Sequence, residues 1–188
     1  MTSPFFTHVA EQLAAKGVTV HRFEFPYMAA RADGGSRRPA PRAETLVADY
    51  CEAVADCIDR IGKRTRLFVG GKSMGGRVAC LSTADPRVAS RISGIVVLGF
   101  PLAPPRRPHL HRGNVLENLT RPALIIQGTR DPFGGRTAFG NLILPGIIKM
   151  CWIEDGDHDL VPRRSSGKNS EDALNEATSA IAQFCEYG

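Results

Sequence analysis

The 188-residue chain contains no apolar run near the roughly 18–20 residues that cross a membrane, so no membrane partner is expected. Its N-terminus lacks the basic, apolar, small-residue succession of a secretory signal. The five cysteines (Cys51, Cys57, Cys80, Cys151 and Cys185) are odd in number and scattered, with no C-x-x-C pair. That argues against a disulfide framework and against thiol redox chemistry, and it suits reduced thiols in a cytoplasmic protein. Aromatics do not interleave with basic residues and no nucleic-acid-binding motif is present, so no nucleic-acid partner is expected. No His/Cys pair stands at metal-ligand spacing. A P-loop ending in Gly71-Lys72-Ser73 would need a glycine at position 66, which is Arg66. Gly70, Gly71, Gly75 and Gly76 also miss the dinucleotide spacing. Neither a cofactor nor a metal is expected.

What remains is a chain of ordinary globular composition, 43% hydrophobic, of a length that suits one domain over residues 1–188. The net charge is +5. Its basic residues gather in three loop-like stretches: Arg31 to Arg42, Arg106 to Arg112 and Arg163 to Lys168. A solvated loop face is the usual meaning of such runs. The alternative is attraction of an anionic substrate or surface, with Arg163, Arg164 and Lys168 closely following His158.

The most informative segment is Gly71-Lys72-Ser73-Met74-Gly75. It follows the apolar run Leu67-Phe68-Val69-Gly70 and precedes the helix-like Arg77-Val78-Ala79-Cys80-Leu81. G-x-S-x-G between a strand and a helix is the sequence form of a nucleophile elbow, whose flanking glycines let strand and helix approach closely. The bare pattern equally describes a Gly-rich turn with an incidental serine. A serine nucleophile needs a base, and the base needs an acid to hold its tautomer. Ala123 to Gln127 reads as a buried strand, and Asp131 lies in the loop leaving it. Lys149 to Glu154 reads as another, and His158 follows it. Serine, acid and histidine thus each come after a strand, in the order of an α/β-hydrolase triad. Asp131 before Pro132 also suits a plain turn, and His158 a solvated loop. His8 and His21 precede the elbow and His109 and His111 precede Asp131, so His158 fits the order best.

Around these residues the elements alternate. Pro4 to about Gly17 reads as a helix with Ser3 as cap, and Val18–Phe25 as a strand ended by Pro26. Residues 28–43 read as a loop, Glu44 to Ile61 as a helix, Ile92 to Phe100 as a strand and Glu171 to Tyr187 as a closing helix. Pro101 to Gly113 reads as a proline-rich excursion. The alternation predicts a mostly parallel, doubly wound sheet in three layers.

Four segments carry a family resemblance: Arg22 to Met28, Gly70 to Arg77, Gly128 to Gly134 and Gly156 to Leu160. On these the chain resembles the Tex/KANL-type α/β-hydrolase-like family, often described as dienelactone-hydrolase-like, over nearly its whole length. The resemblance implies an α/β-hydrolase fold with Ser73, Asp131 and His158 as the triad, and it supplies no substrate. The expected activity is that of a serine hydrolase on a small ester, thioester or related acyl compound, with the Met74 amide, the one after the nucleophile, in the oxyanion hole. The rival expectation is a non-catalytic interaction module that keeps the fold. Proteins of this type resemble a strand and a His-Gly-Ala-Gly-like loop set just before a Ser-Pro-Phe helix. Here Met1 stands almost at Ser3-Pro4-Phe5. The resemblance therefore implies an N-terminally short form without those early strands or the second oxyanion donor, on a chain whose parent carries them. In the usual strand order the missing strand lies between Val18–Phe25 and the elbow strand. Those two then pair directly, leave a gap or borrow a strand.

Overall fold

The computed structural model describes residues 3–32 and 40–187. Its elements run α1 (Pro4–Ala15), α2 (Pro26–Ala32), a 3-10 turn (Ala43–Leu46), α3 (Val47–Arg60), β1 (Leu67–Lys72), α4 (Met74–Ser82), α5 (Pro86–Ala89), β2 (Ile92–Leu98), α6 (Asn114–Glu117), β3 (Ala123–Gly128), α7 (Arg136–Gly140), β4 (Ile148–Ile153) and α8 (Ser170–Tyr187). The strands form one parallel sheet in the order β1-β2-β3-β4. Each strand lies beside the next in sequence, so the sheet grows in one direction.

Alternation along the strands sorts the core into two layers. Val69, Ile95, Val97, Ala123 and Ile125 face one side, where they pack with Val54, Val78, Ala79, Leu116 and Phe139. Val96, Leu98, Leu124, Ile126 and Ile153 face the other, against Val9 and Leu13 of α1 and Ala177, Ile181 and Phe184 of α8. A strand buried on both faces has no polar side to present, which is why β3 is an unbroken apolar run up to Gln127. The three expected layers are present. The second helical layer comes from the first and last helices, fastened by Thr178 Oγ1 donating to Gln12 Oε1 (2.8 Å) and Lys16 Nζ to Asn175 Oδ1 (3.0 Å).

Pro4 opens α1, and Gly17 at φ 80° closes it. Ser3 caps through its carbonyl, which accepts the Thr7 amide at 3.1 Å, rather than through its side chain. The expected Val18–Phe25 strand does not form: the segment has no regular secondary structure and joins no ladder. What holds it is aromatic packing. Phe23 meets Tyr50 edge-on at 5.3 Å between centroids, and Phe25 meets Phe23 at 5.0 Å. Pro26 does not end a strand but starts α2, its missing N–H costing nothing in a first helical turn. The expected loop of residues 28–43 is thus helical up to Ala32, and residues 33–39 of it lie outside the described residues.

Tyr50 also bears on β1, whose ladder partner is β2 alone among the described residues. Its buried hydroxyl donates to the Gly70 carbonyl (2.8 Å) and accepts the Gly70 amide (2.9 Å). One side chain from α3 thus satisfies both backbone groups of a strand residue, taking the place of a neighbouring strand. Burial pushes this hydroxyl far above its ordinary acidity range, so it stays protonated and able to do both. Tyr50→Phe keeps the ring but strands both groups. It should cost about 1–3 kcal/mol of unfolding free energy in urea titration, with the denaturant slope unchanged.

Candidate active site

The elbow forms where the sequence places it. β1 ends at Lys72, Ser73 takes φ 52° and ψ −119°, and α4 begins at Met74. A non-glycine residue at positive φ is strained and persists only where its surroundings enforce it. Here the Ser73 amide donates to the Leu98 carbonyl at the end of β2 (2.8 Å), and its carbonyl accepts the Arg77 amide (3.1 Å). The glycines divide differently from the pentapeptide. A Cβ on Gly71 would lie 2.6 Å from the Gly75 carbonyl carbon, and one on Gly76 2.5 Å from Val97 Cγ1. A Cβ on Gly75 would meet nothing within 4 Å. The close approach of strand and helix is therefore made by Gly71 and Gly76, and Gly75 of the G-x-S-x-G motif is not sterically required.

His158 bridges the other two residues. Its Nε2 lies 2.8 Å from Ser73 Oγ, and its Nδ1 lies 2.8 Å from Asp131 Oδ2. The Asp131 side chain is wholly buried and that of His158 is 17% exposed, so the carboxylate is shut away while the ring keeps one edge open. The Phe133 ring packs on the imidazole at 4.4 Å between centroids.

The histidine loop is internally tied. Asp157 Oδ1 accepts the amides of Asp159 (2.9 Å) and Val161 (3.0 Å), and Gly156 and Pro162 bridge its base. Asp155, at φ 56°, accepts from Arg163 Nε (2.9 Å) and pairs with Arg130 Nε (2.9 Å). The Arg163 bonds hold its carboxyl at about 2 against a partial burial that pushes it up.

Sequence reasoning missed Gln127, fully buried at the end of β3. Its Nε2 donates to Asp131 Oδ2 (2.7 Å) and the Gly134 carbonyl (2.9 Å), and its Oε1 accepts the Phe100 amide (2.7 Å). The other Asp131 oxygen accepts the Phe133 amide at 2.8 Å. Asp131 thus holds three hydrogen bonds in addition to burial, which fixes it in one rotamer. The available signal was a lone amide closing an otherwise apolar strand, where a buried polar group must have partners.

Met74 stands at the first position of α4, where backbone amides have no intrahelical acceptor. Three residues of the basic stretches bond within the chain itself. Arg163 pairs with Asp155, Lys168 with Glu176, and Arg112 Nη1 donates to the Pro101 carbonyl at 3.0 Å. The Arg31 to Arg42 stretch lies mostly outside the described residues. All five cysteines are unpaired thiols, and burial pushes that of Cys80 up to about 12. Among the described residues no three His, Cys, Asp or Glu side chains gather as a metal site, and no helix is long and apolar enough to cross a membrane.

A hydroxyl, an imidazole and a buried carboxylate in series, on the C-terminal ends of parallel strands, define a three-layer α/β protein of hydrolase type. Residues 1–186 match the family model described as an alpha/beta hydrolase domain, and the chain belongs to that family. Solved structures with the same fold include an alpha-beta serine hydrolase homologue from Coxiella burnetii (17% identity, TM-score 0.65, covering 98% of this chain and 77% of that one). An esterase from Pyrococcus furiosus is similar at 15% identity and TM-score 0.65, covering 98% and 76%. A monoacylglycerol lipase from Paleococcus ferrophilus is similar at 16% identity and TM-score 0.62, covering 97% and 89%.

Proposed function

We propose that this hydrolase-family chain is a cytoplasmic serine hydrolase of the Tex/KANL-type, dienelactone-hydrolase-like branch, acting on a small ester, thioester or related acyl compound. The observation that carries this reading is the unbroken series Ser73 Oγ, His158 and Asp131, with both hydrogen bonds at 2.8 Å. Five unpaired thiols support the reducing compartment.

Ser73 Oγ attacks the acyl carbon while His158 Nε2 takes its proton. Asp131 holds Nδ1–H and stabilises the imidazolium as it forms. The oxyanion accepts from the Met74 amide at the head of α4, where a donor is free and the helix dipole favours negative charge. His158 then returns its proton to the departing alcohol or thiol, leaving an acyl-Ser73 ester. A water, deprotonated by the same nitrogen, attacks that ester, and the hydroxyl of Ser73 is regenerated with release of the acid. No metal, cofactor, nucleic acid or membrane takes part in this reading.

The test uses a fluorophosphonate probe, which reacts only with an activated serine. The protein should be labelled, with the adduct mass on the peptide carrying Ser73, and should hydrolyse p-nitrophenyl acetate. A folded protein that does neither overturns the proposal.

A further inference from the structure

Lys72 and Asp159 both belong to the motifs that mark the site, and the triad chemistry uses neither. Lys72 is the residue before the nucleophile, on the last position of β1. Asp159 follows the histidine. Their side chains meet at 2.6 Å, Lys72 being only 18% exposed and Asp159 69%. The pair joins two separate pieces of chain, the elbow and the histidine loop, which the Ser73–His158 hydrogen bond also joins. Lys72 Nζ also stands 5.7 Å from the centre of the Phe5 ring, so the first turn of α1 closes over the same junction. A hollow of about 430 Å³ opens beside it, lined by Phe5, His8, Asp159, Leu160 and Glu171. Ser73, Asp131 and His158 are not part of that lining, so the hollow backs the histidine loop rather than forming the acyl pocket.

We infer that Lys72 and Asp159 are positioning residues that hold the histidine loop against the elbow and set the charge around His158. The inference rests on the hydrolase reading for its catalytic meaning. Two opposite charges beside an imidazole nearly cancel when paired, but each acts alone when its partner is removed. Among the described residues, Asp131, from the loop after β3, bonds to His158, and Asp159 is its neighbour in its own loop and senses its charge. Asp159 in turn holds Lys72 of β1, and Asp157 precedes the histidine in the same loop. Beyond Asp159, α1 presents His8 and α8 presents Glu171 across the hollow. The end of β2 brings Gly99, which carries no charge. Asp159 is electrostatically part of this group. Its hydrogen bond to Lys72 holds its carboxyl below the usual range against a partial desolvation, and the charge of a protonated His158 lowers it further.

Lys72→Met leaves the Asp159 carboxylate unopposed, which favours imidazolium, so the His158 titration midpoint should move to higher pH. Asp159→Asn leaves the ammonium unopposed, so the midpoint should move to lower pH. Each shift should be about half a pH unit at low ionic strength and shrink in salt, since Asp159 is solvent-exposed. The double variant Lys72→Met/Asp159→Asn should return to near the wild-type midpoint. A merely structural pair would give no opposed shifts.

The experiment follows the His158 imidazole by NMR titration in the full chain, and in parallel the pH dependence of fluorophosphonate labelling. Thermal melts establish that each variant is folded. Opposed midpoints that reconverge in the double variant bear the inference out, and the acid limb of labelling should follow them. Midpoints that stay fixed, or move in the same direction, overturn it. The NMR arm does not need turnover. Moving midpoints in an unlabelled wild type therefore overturn the hydrolase reading and keep the pair, whereas a labelled wild type with fixed midpoints overturns the pair and keeps the hydrolase.

Discussion

Asp131→Ala should lower kcat for p-nitrophenyl acetate by about 10⁴ and leave KM nearly unchanged, because an orienting acid acts on the transition state rather than on substrate binding. The physical basis is the bond from His158 Nδ1 to Asp131 Oδ2. Without it the imidazole can turn or adopt the tautomer that presents N–H to Ser73, and in either state it cannot accept the hydroxyl proton. Asp131→Asn separates tautomer from charge. Gln127 cannot flip its amide, because Oε1 accepts the Phe100 amide and Nε2 donates to the Gly134 carbonyl. Its fixed N–H, together with Nδ1–H of His158, requires an oxygen where Asp131 Oδ2 now stands. If the introduced asparagine turns its amide nitrogen towards the Phe133 amide, one contact is violated. If it turns that nitrogen towards Gln127 and His158, the fully buried Gln127 contact is violated instead and His158 must carry its proton on Nε2, which costs more than a conflict at the part-buried Phe133 amide. The asparagine should therefore keep the productive tautomer and lose only the charge, so its kcat should exceed that of Asp131→Ala by at least about tenfold. Steady-state kinetics of both variants, with thermal melts as a folding control, decide the matter. Equal kcat values would show that Gln127 does not orient the side chain at this position.

The same residues show how far the sequence could be read. The convergence of Ser73, Asp131 and His158 was legible because each follows an apolar run, and such a sheet gathers the residues just past its buried parallel strands at one edge. Gln127 was harder to see, since its importance lies in three partners that only the folded chain brings together. The Val18–Phe25 segment misled for a different reason. Its β-branched and aromatic residues suit a strand, but a strand also needs a neighbouring backbone. The aromatic side chains of Phe23 and Phe25 pack around Tyr50, and the Tyr50 hydroxyl bonds to Gly70 of β1. Local propensity cannot report whether that neighbour is present. Pro26 was equally ambiguous, because a proline both ends a strand and opens a helix.

The elbow glycines supply the sharper test of how a motif relates to the physics beneath it. Gly71→Ala and Gly76→Ala should each destabilise the protein by about 3 kcal/mol, which for a domain of this size lowers the melting temperature by about 10 °C. At Gly71 the new methyl meets the backbone of Gly75 and Gly76 at 2.6 to 2.9 Å, and backbone atoms cannot move aside without unwinding the head of α4. At Gly76 it meets Val97 Cγ1 at 2.5 Å and the Gly71 carbonyl oxygen at 2.7 Å, so relief requires parting α4 from the sheet. Either movement also shifts Ser73, which lies between them at φ 52° and stays there only while strand and helix are pressed together. Labelling of Ser73 should accordingly fall in both variants at temperatures where they remain folded. Gly75→Ala is the contrasting case. Its methyl enters open space in the first turn of a helix, where alanine outranks glycine, so stability should be unchanged or rise by up to about 1 kcal/mol. A melt series over the three variants checks this directly. Losses at 71 and 76 with none at 75 would show that the strand–helix contact, not the five-residue pattern, is what holds the serine in place. A loss at 75 as large as the other two would mean that the space beside it is needed in the folded state.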